Sequence, residues 1–236
     1  RAGDVNGDGY DDIIAGAPYY DGQHQDEGAA FIFYGSAAGL AAGPGWTAYG
    51  GQADALFGWS VAAAGDVNDD GYDDVVIGAP YYDRGQEDEG AAWIYYGSAA
   101  GLGSFPAWTA SGRQAGQQFG ISVAAAGDGD GDGYDDVIVG AAHYRRDQAL
   151  EGAALVFFGS VHGLSQAPGW LAEGDKAETE FGYAVSATGA TSDDSLAGIL
   201  VGAPTYRHET LLVGRAAAYF GPILPTYYHF LPLVQR

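Results

Sequence analysis

Three stretches of nine residues carry side-chain oxygens at one repeated spacing: residues 4–12 (DVNGDGYDD), 66–74 (DVNDDGYDD) and 128–136 (DGDGDGYDD). Carboxylate or amide oxygens at loop positions 1, 3, 5 and 9, with a main-chain carbonyl at position 7, can converge on one hard cation. Gly at position 6 allows the sharp turn such a cage needs. An all-oxygen set with this flexibility suits calcium; magnesium prefers a rigid octahedron with retained waters, and no thiolate or His is placed to favour zinc. The twelfth position, where an EF-hand needs a bidentate Glu, holds Ala15, Ile77 and Val139, and no helical pattern flanks the loops. Asp and Gly also populate ordinary turns, but three copies of the same oxygen spacing set these loops apart.

The elements that position them repeat as well. The loops recur at an offset of 62 residues, as do Gly16-Ala17-Pro18, Gly78-Ala79-Pro80, Gly140-Ala141-Ala142 and Gly202-Ala203-Pro204. Phe57-Gly58, Phe119-Gly120 and Phe181-Gly182 keep the same register, and so do Trp46, Trp108 and Trp170. Each unit reads as four short strands bounded by Gly, Pro and Asp turns; in the second unit these are 58–64, 74–77, 91–96 and 108–111. No window is long enough for an uninterrupted amphipathic helix. Four-stranded units repeated radially are the signature of a β-propeller, with a β-solenoid as the alternative. In the fourth unit the aligned loop, residues 190–198 (ATSDDSLAG), lacks oxygens at positions 1 and 9 and Gly at position 6, so three cation sites are predicted rather than four.

Composition agrees. Of 236 residues, 47% are apolar, enough for a core, while 40 Gly and 9 Pro fit a turn-rich fold. The absence of Cys removes disulfides, thiolate metal sites and thiol nucleophiles as sources of stability or chemistry. A formal charge of −22 repels phosphate backbones and anionic lipids, arguing against nucleic-acid partners and membrane contact. No apolar run reaches membrane-spanning length, and the first residues have no signal-peptide character.

The Phe-Gly pair ahead of each loop, the loop itself and the Gly-Ala-Pro after it resemble FG-GAP repeats, the blades of integrin α-subunit propellers and of many bacterial secreted proteins. The resemblance covers nearly the whole chain and weakens after Gly221. It implies an all-β propeller of about four blades, each a four-stranded antiparallel sheet. It divides one domain, 1–236, into units 1–56, 57–118, 119–180 and 181–221 plus a tail strand at 222–236. By position it implies calcium ligands Asp4, Asn6, Asp8, Tyr10 through its carbonyl, and Asp12. It likewise implies Asp66, Asn68, Asp70, Tyr72 and Asp74, then Asp128, Asp130, Asp132, Tyr134 and Asp136. It also implies an extracellular, non-catalytic adhesion or structural role. Two departures stand out: integrin-type propellers have seven blades, and the first unit lacks its Phe-Gly strand.

Clustered carboxylates repel by several kcal/mol at intermediate dielectric unless a cation sits among them. With a dissociation constant near ~0.1 mM and calcium near ~2 mM, linkage stabilises each site by roughly 1.8 kcal/mol, about 5 for three. Sites this weak would be empty in the cytosol, which again points outside the cell. The incomplete first unit and the tail around 230–234 raise three possibilities: an outer strand for unit four, closure onto unit one, or head-to-tail strand exchange into filaments or other homo-oligomers. The loop 19–27 and its repeats combine Tyr with Asp, Gln and Arg, which suits either packing or a lectin-like grip on glycan or peptide. Arg145, Arg146, Arg207 and His208 form a basic patch that could meet a neighbour's acidic loops. The register-locked Trp residues, and Trp59 and Trp93 with them, read as blade packing. No catalytic constellation is found; a glycosidase-like pair among Glu27, Glu89 and Glu151 is disfavoured by their identical repeat positions, which suggest structural work.

Overall fold

Short runs such as 74–79 (DVVIGA) and 136–141 (DVIVGA) are β-branched, bounded by Gly-rich turns and wholly buried, so they form central strands. A computed structural model describes residues 1–190, 197–220 and 223. The strands are β1 (Ile13–Ala17), β2 (Ala29–Phe33), β3 (Trp46–Tyr49), β4 (Ser60–Gly65), β5 (Asp74–Ala79), β6 (Ala91–Tyr95), β7 (Trp108–Ser111) and β8 (Phe119–Gly127). They continue as β9 (Asp136–Ala141), β10 (Ala153–Phe157), β11 (Trp170–Glu173), β12 (Ala184–Ala190), β13 (Ala197–Ala203), β14 (Arg207–His208), β15 (Leu211–Leu212) and β16 (Arg215–Tyr219).

These make antiparallel sheets in sequence order: β1-β2-β3, β4-β5-β6-β7, β8-β9-β10-β11 and β12-β13-β16. The sheets are the blades of a β-propeller, and the helical and solenoid readings fall away. Units two and three have all four expected strands. Unit one has three, as its missing Phe-Gly segment requires. Unit four departs from expectation: the loop after its Gly-Ala-Pro folds into a small hairpin, β14-β15, where Arg207 pairs with Leu212 and His208 with Leu211. Among the described residues no strand pairing joins unit one to unit four. The degenerate loop at 191–196 and the tail strand expected around 230–234 lie outside the described residues.

The motif's glycines are explained at the joins between blades. Gly120 sits at φ 85°, and a Cβ there would lie 2.4 Å from the Ala91 carbonyl oxygen of the preceding blade. A Cβ on Gly78 would in turn lie 2.1 Å from the Gly120 oxygen. The same face-to-face glycine contact joins Gly16 to Gly58 and Gly140 to Gly182. Beside it, the Phe57, Phe119 and Phe181 amides donate to the carbonyls of Glu27, Glu89 and Glu151, and these three Phe side chains are buried.

The register-locked tryptophans also act between blades. Trp46, Trp108 and Trp170 each stand edge-on to an aromatic of the next blade (Tyr95, Phe157 and Tyr219) at 4.9 Å. Trp46 and Trp108 also donate Nε1–H to Gly103 and Ser165 oxygens at 3.0 Å. Trp93 is core as expected, but Trp59 is not: it is 38% exposed. Its repeat equivalent Ile121 is buried because inner strand β8 packs on β4, and unit one has no inner strand to cover Trp59.

Candidate metal centre

Each nine-residue loop joins the inner strand of a blade to the next strand, or precedes β1 in unit one. Its side chains are turned inward by the loop's own amides. Asp4 Oδ1 accepts from the Asp8 amide at 3.1 Å and Oδ2 from Gly9 at 2.8 Å; Asn6 Oδ1 accepts from Asp8, and Asp8 Oδ1 from Tyr10, both at 3.0 Å. Asp66, Asn68 and Asp70 repeat this pattern with the Asp70, Gly71 and Tyr72 amides. Asp128, Asp130 and Asp132 do so with the amides of 131–134. In the third loop, oxygens of Asp128, Asp130 and Asp132 lie within 4.8 Å of one another. In this third loop, positions 1, 3 and 5 therefore lie close together.

Position 9 is set differently. Asp12, Asp74 and Asp136 are fully buried, and each braces two backbone segments. Asp74 accepts from Val67 N at 3.1 Å and Gly97 N at 2.9 Å; Asp12 does so from Val5 and Gly35, and Asp136 from Gly129 and Gly159. Burial pushes the Asp74 and Asp136 carboxyls up to about 7 despite these donors, with the negative loop residues adding to the effect. Asp12 is raised for the same reason. A group of carboxylates held this close is what a cation relieves, and every donor is a hard oxygen, so the residues fit calcium. Tyr10, Tyr72 and Tyr134 occupy position 7; the Tyr72 ring lies over Gly7 of the preceding loop.

One residue type escaped the sequence reading. Position 8 is Asp in all three copies, and in the second and third it reaches across to the preceding loop, whereas Asp11 pairs with Arg1 at 3.2 Å. Asp73 Oδ2 accepts from Asp4 N at 2.7 Å, and Asp135 Oδ2 from Asp66 N at 3.0 Å. The Asp73 and Asp135 amides return bonds to the Asp4 and Asp66 carbonyls. Adjacent loops are therefore clamped together. The repetition of Asp11, Asp73 and Asp135 was the signal available in sequence.

The other candidates resolve as follows. Glu27, Glu89 and Glu151 are buried and accept from loop amides, including Gln23, Arg84 and Arg146, so they brace the loop after each Gly-Ala-Pro. In the basic patch, Arg146 is paired with Glu173 of its own chain at 3.2 Å. Tyr19 and Tyr49 are well exposed, with Tyr20 less so. Tyr19 stands edge-on to Trp59 at 6.4 Å, and Tyr20 lies 5.7 Å from Tyr49.

Comparison with known proteins agrees with this architecture. The FG-GAP repeat model matches residues 1–33, 57–95 and 119–157. The chain carries FG-GAP repeats in three copies. It is similar to integrin alpha-6 of Gallus gallus, 38% identical over 138 residues, covering 58% of this chain and 12% of that protein. It is also similar to integrin alpha-7 of Homo sapiens (36% over 138 residues; 58% and 11%) and integrin alpha-5 of Xenopus laevis (36% over 149 residues; 59% and 14%). The chain thus spans only about an eighth of these relatives. The FG-GAP matches coincide with the glycine joins and the acidic loops of units one to three. Among the described residues no helix is long and apolar enough to cross a membrane.

Proposed function

We propose that this FG-GAP propeller is an extracellular, calcium-stabilised, non-catalytic adhesion or structural module. The observation that carries the reading is the geometry of the three loops: side-chain oxygens turned inward around positions 1, 3 and 5, beside a buried carboxyl at position 9. The ligands are Asp4, Asn6, Asp8, the Tyr10 carbonyl and Asp12, with their equivalents at 66–74 and 128–136. Calcium, when bound, supplies charge neutralisation. The chain's own residues orient the oxygens through loop amides and pass each loop's position to its neighbour through Asp73 and Asp135. The similarity to integrin α-subunits supports an extracellular role with a protein or glycan partner. Head-to-tail self-association by strand complementation is part of this proposal.

The exposed Tyr19, Tyr20, Tyr49 and Trp59 rings favour a second reading, a lectin-like module that stacks sugars. Light scattering with negative-stain imaging, in 2 mM calcium and then in excess chelator, separates the two. Filaments or large oligomers in calcium support assembly; a small species that binds glycans supports the lectin reading. A chain that shows no change in thermal stability between calcium and chelator overturns the calcium assignment.

A further inference from the structure

Between blades two and three lies a cavity of about 600 Å³ whose lining contains no acidic side chain, although the chain is strongly acidic. Arg84 and Arg113 both line it. Among the described residues neither makes an ion pair. The buried Gln117 adds a third donor: its Oε1 accepts from the Arg113 and Gln114 amides at 2.8 and 3.2 Å, which fixes the amide's orientation. Its Nε2 then has no acceptor among the described residues. The space exists because Leu155 stands where the previous groove has Trp93, which packs against Phe57 and Tyr82 at 5.2 and 5.1 Å.

The internal repeat says what is missing. One period later, the equivalent of Arg84 is Arg146, and the equivalent of Ser111 is Glu173; those two are paired at 3.2 Å. The equivalent of Arg113 is Asp175, which is paired with Arg215 at 3.1 Å. In the third groove the chain thus supplies its own carboxylates, whereas in the second it presents cations and a hydroxyl at the matching places. One period earlier the arginine positions are Gly22 and Gly51, so the feature belongs to this groove rather than to the repeat.

We infer that the groove between blades two and three binds a carboxylate-bearing sugar, a hexuronate unit of an acidic polysaccharide, with Arg84 and Arg113 taking the carboxylate that Glu173 supplies in the next groove. Guanidinium groups hold carboxylates through paired, charge-assisted bonds. A volume of this size suits a ligand of a few rings. The Ser111 hydroxyl, the Gln117 amide and the half-buried Tyr144 ring surround the cations with partners for hydroxyls and a ring face. An Asp or Glu side chain, whose carboxylate ends an apolar stem, would leave these unused. At physiological ionic strength the screening length is about 8 Å, so these local cations outweigh the distant acidic loops. The inference does not depend on the adhesion reading or on calcium.

The test is calorimetric titration of the full chain with a glucuronate-containing tetrasaccharide at 0.15 M NaCl, beside its methyl ester and an alternating Asp-Gly peptide. We expect saturable one-to-one binding of the acid and at least tenfold weaker binding of the ester. Arg84→Ala, Arg113→Ala and the self-neutralising Ser111→Glu should each weaken binding at least tenfold with melting temperature unchanged. Arg145→Ala, outside the groove, should bind as the parent does. Absence of saturable binding, equal affinity for the ester, indifference to the three groove variants, or tighter binding of the peptide would each overturn the assignment.

Discussion

The aspartates of one loop divide into two kinds. Asp132 is exposed, and its Oδ1 accepts from the Tyr134 amide within the loop, whereas Asp136 is buried and holds Gly129 and Gly159 in place. Asp132→Ala should therefore leave the melting temperature in chelator nearly unchanged and lose about a third of the calcium-induced rise. Asp136→Ala should cost ~2–4 kcal/mol even without calcium, because two buried amides lose their acceptor. Thermal melts of both variants with and without calcium check this; equal behaviour would remove the distinction. A second expectation concerns pH. The Asp74 and Asp136 carboxyls titrate near 7 when folded, against 3.8 for the free side chain. The folded chain then binds more protons than the unfolded chain between these values, so metal-free stability should fall as pH rises from about 4 to 7, by up to about 1.4 kcal/mol per pH unit for each group. Calcium, which selects the ionised form, should reverse the trend. Urea titrations at pH 5 and 7.5, in chelator and in calcium, check the sign.

Among the elements, the strands were legible because β-branched runs and Gly, Pro and Asp punctuation repeat four times. The predicted strands 58–64, 74–77, 91–96 and 108–111 fall within two residues of those in the structure at each end. The loop oxygens were legible for the same reason. What sequence did not disclose depends on contacts between units rather than within them. The Asp73 and Asp135 clamps needed the neighbouring loop in place, and Trp59 looked like core by alignment with Ile121 until the absent inner strand of unit one left it uncovered. The β14-β15 hairpin was hidden in a loop of ordinary length whose strands are only two residues each. The glycine joins carry a prediction of their own. Gly78→Ala puts a methyl 2.1 Å from the Gly120 oxygen, backbone that cannot swing aside. We expect at least ~3 kcal/mol of destabilisation or failure to fold. Gly71→Ala is the control. Unlike Gly78 it has a positive φ, 87°, and it has nothing within 4 Å, so it should cost only the ~1–2 kcal/mol of backbone strain. Denaturation midpoints of the two variants decide whether the join or the conformation matters.

At the scale of the whole molecule, the same contacts recur from blade to blade, and stability in such an array is set by each unit and its joins to its neighbours. Two kinds of join are present: glycine contacts on one side of each acidic loop, and the Asp73 and Asp135 clamps between loops. The first holds without calcium. The second links loop to loop, so repulsion within an unfilled loop acts on its neighbour's first residue as well. Calcium should therefore raise both stability and cooperativity. About 5 kcal/mol over three sites corresponds to a rise of roughly 10–20 °C for a chain this size. The calorimetric transition should be single in calcium and broader or split in chelator. Asp73→Ala and Asp135→Ala should separate the two effects: each keeps its own loop's inward-facing oxygens, and with them most of the temperature rise, but broadens the transition. Scanning calorimetry of the parent and these two variants tests the coupling; a sharp single transition in chelator would show that the glycine joins alone make the blades melt together.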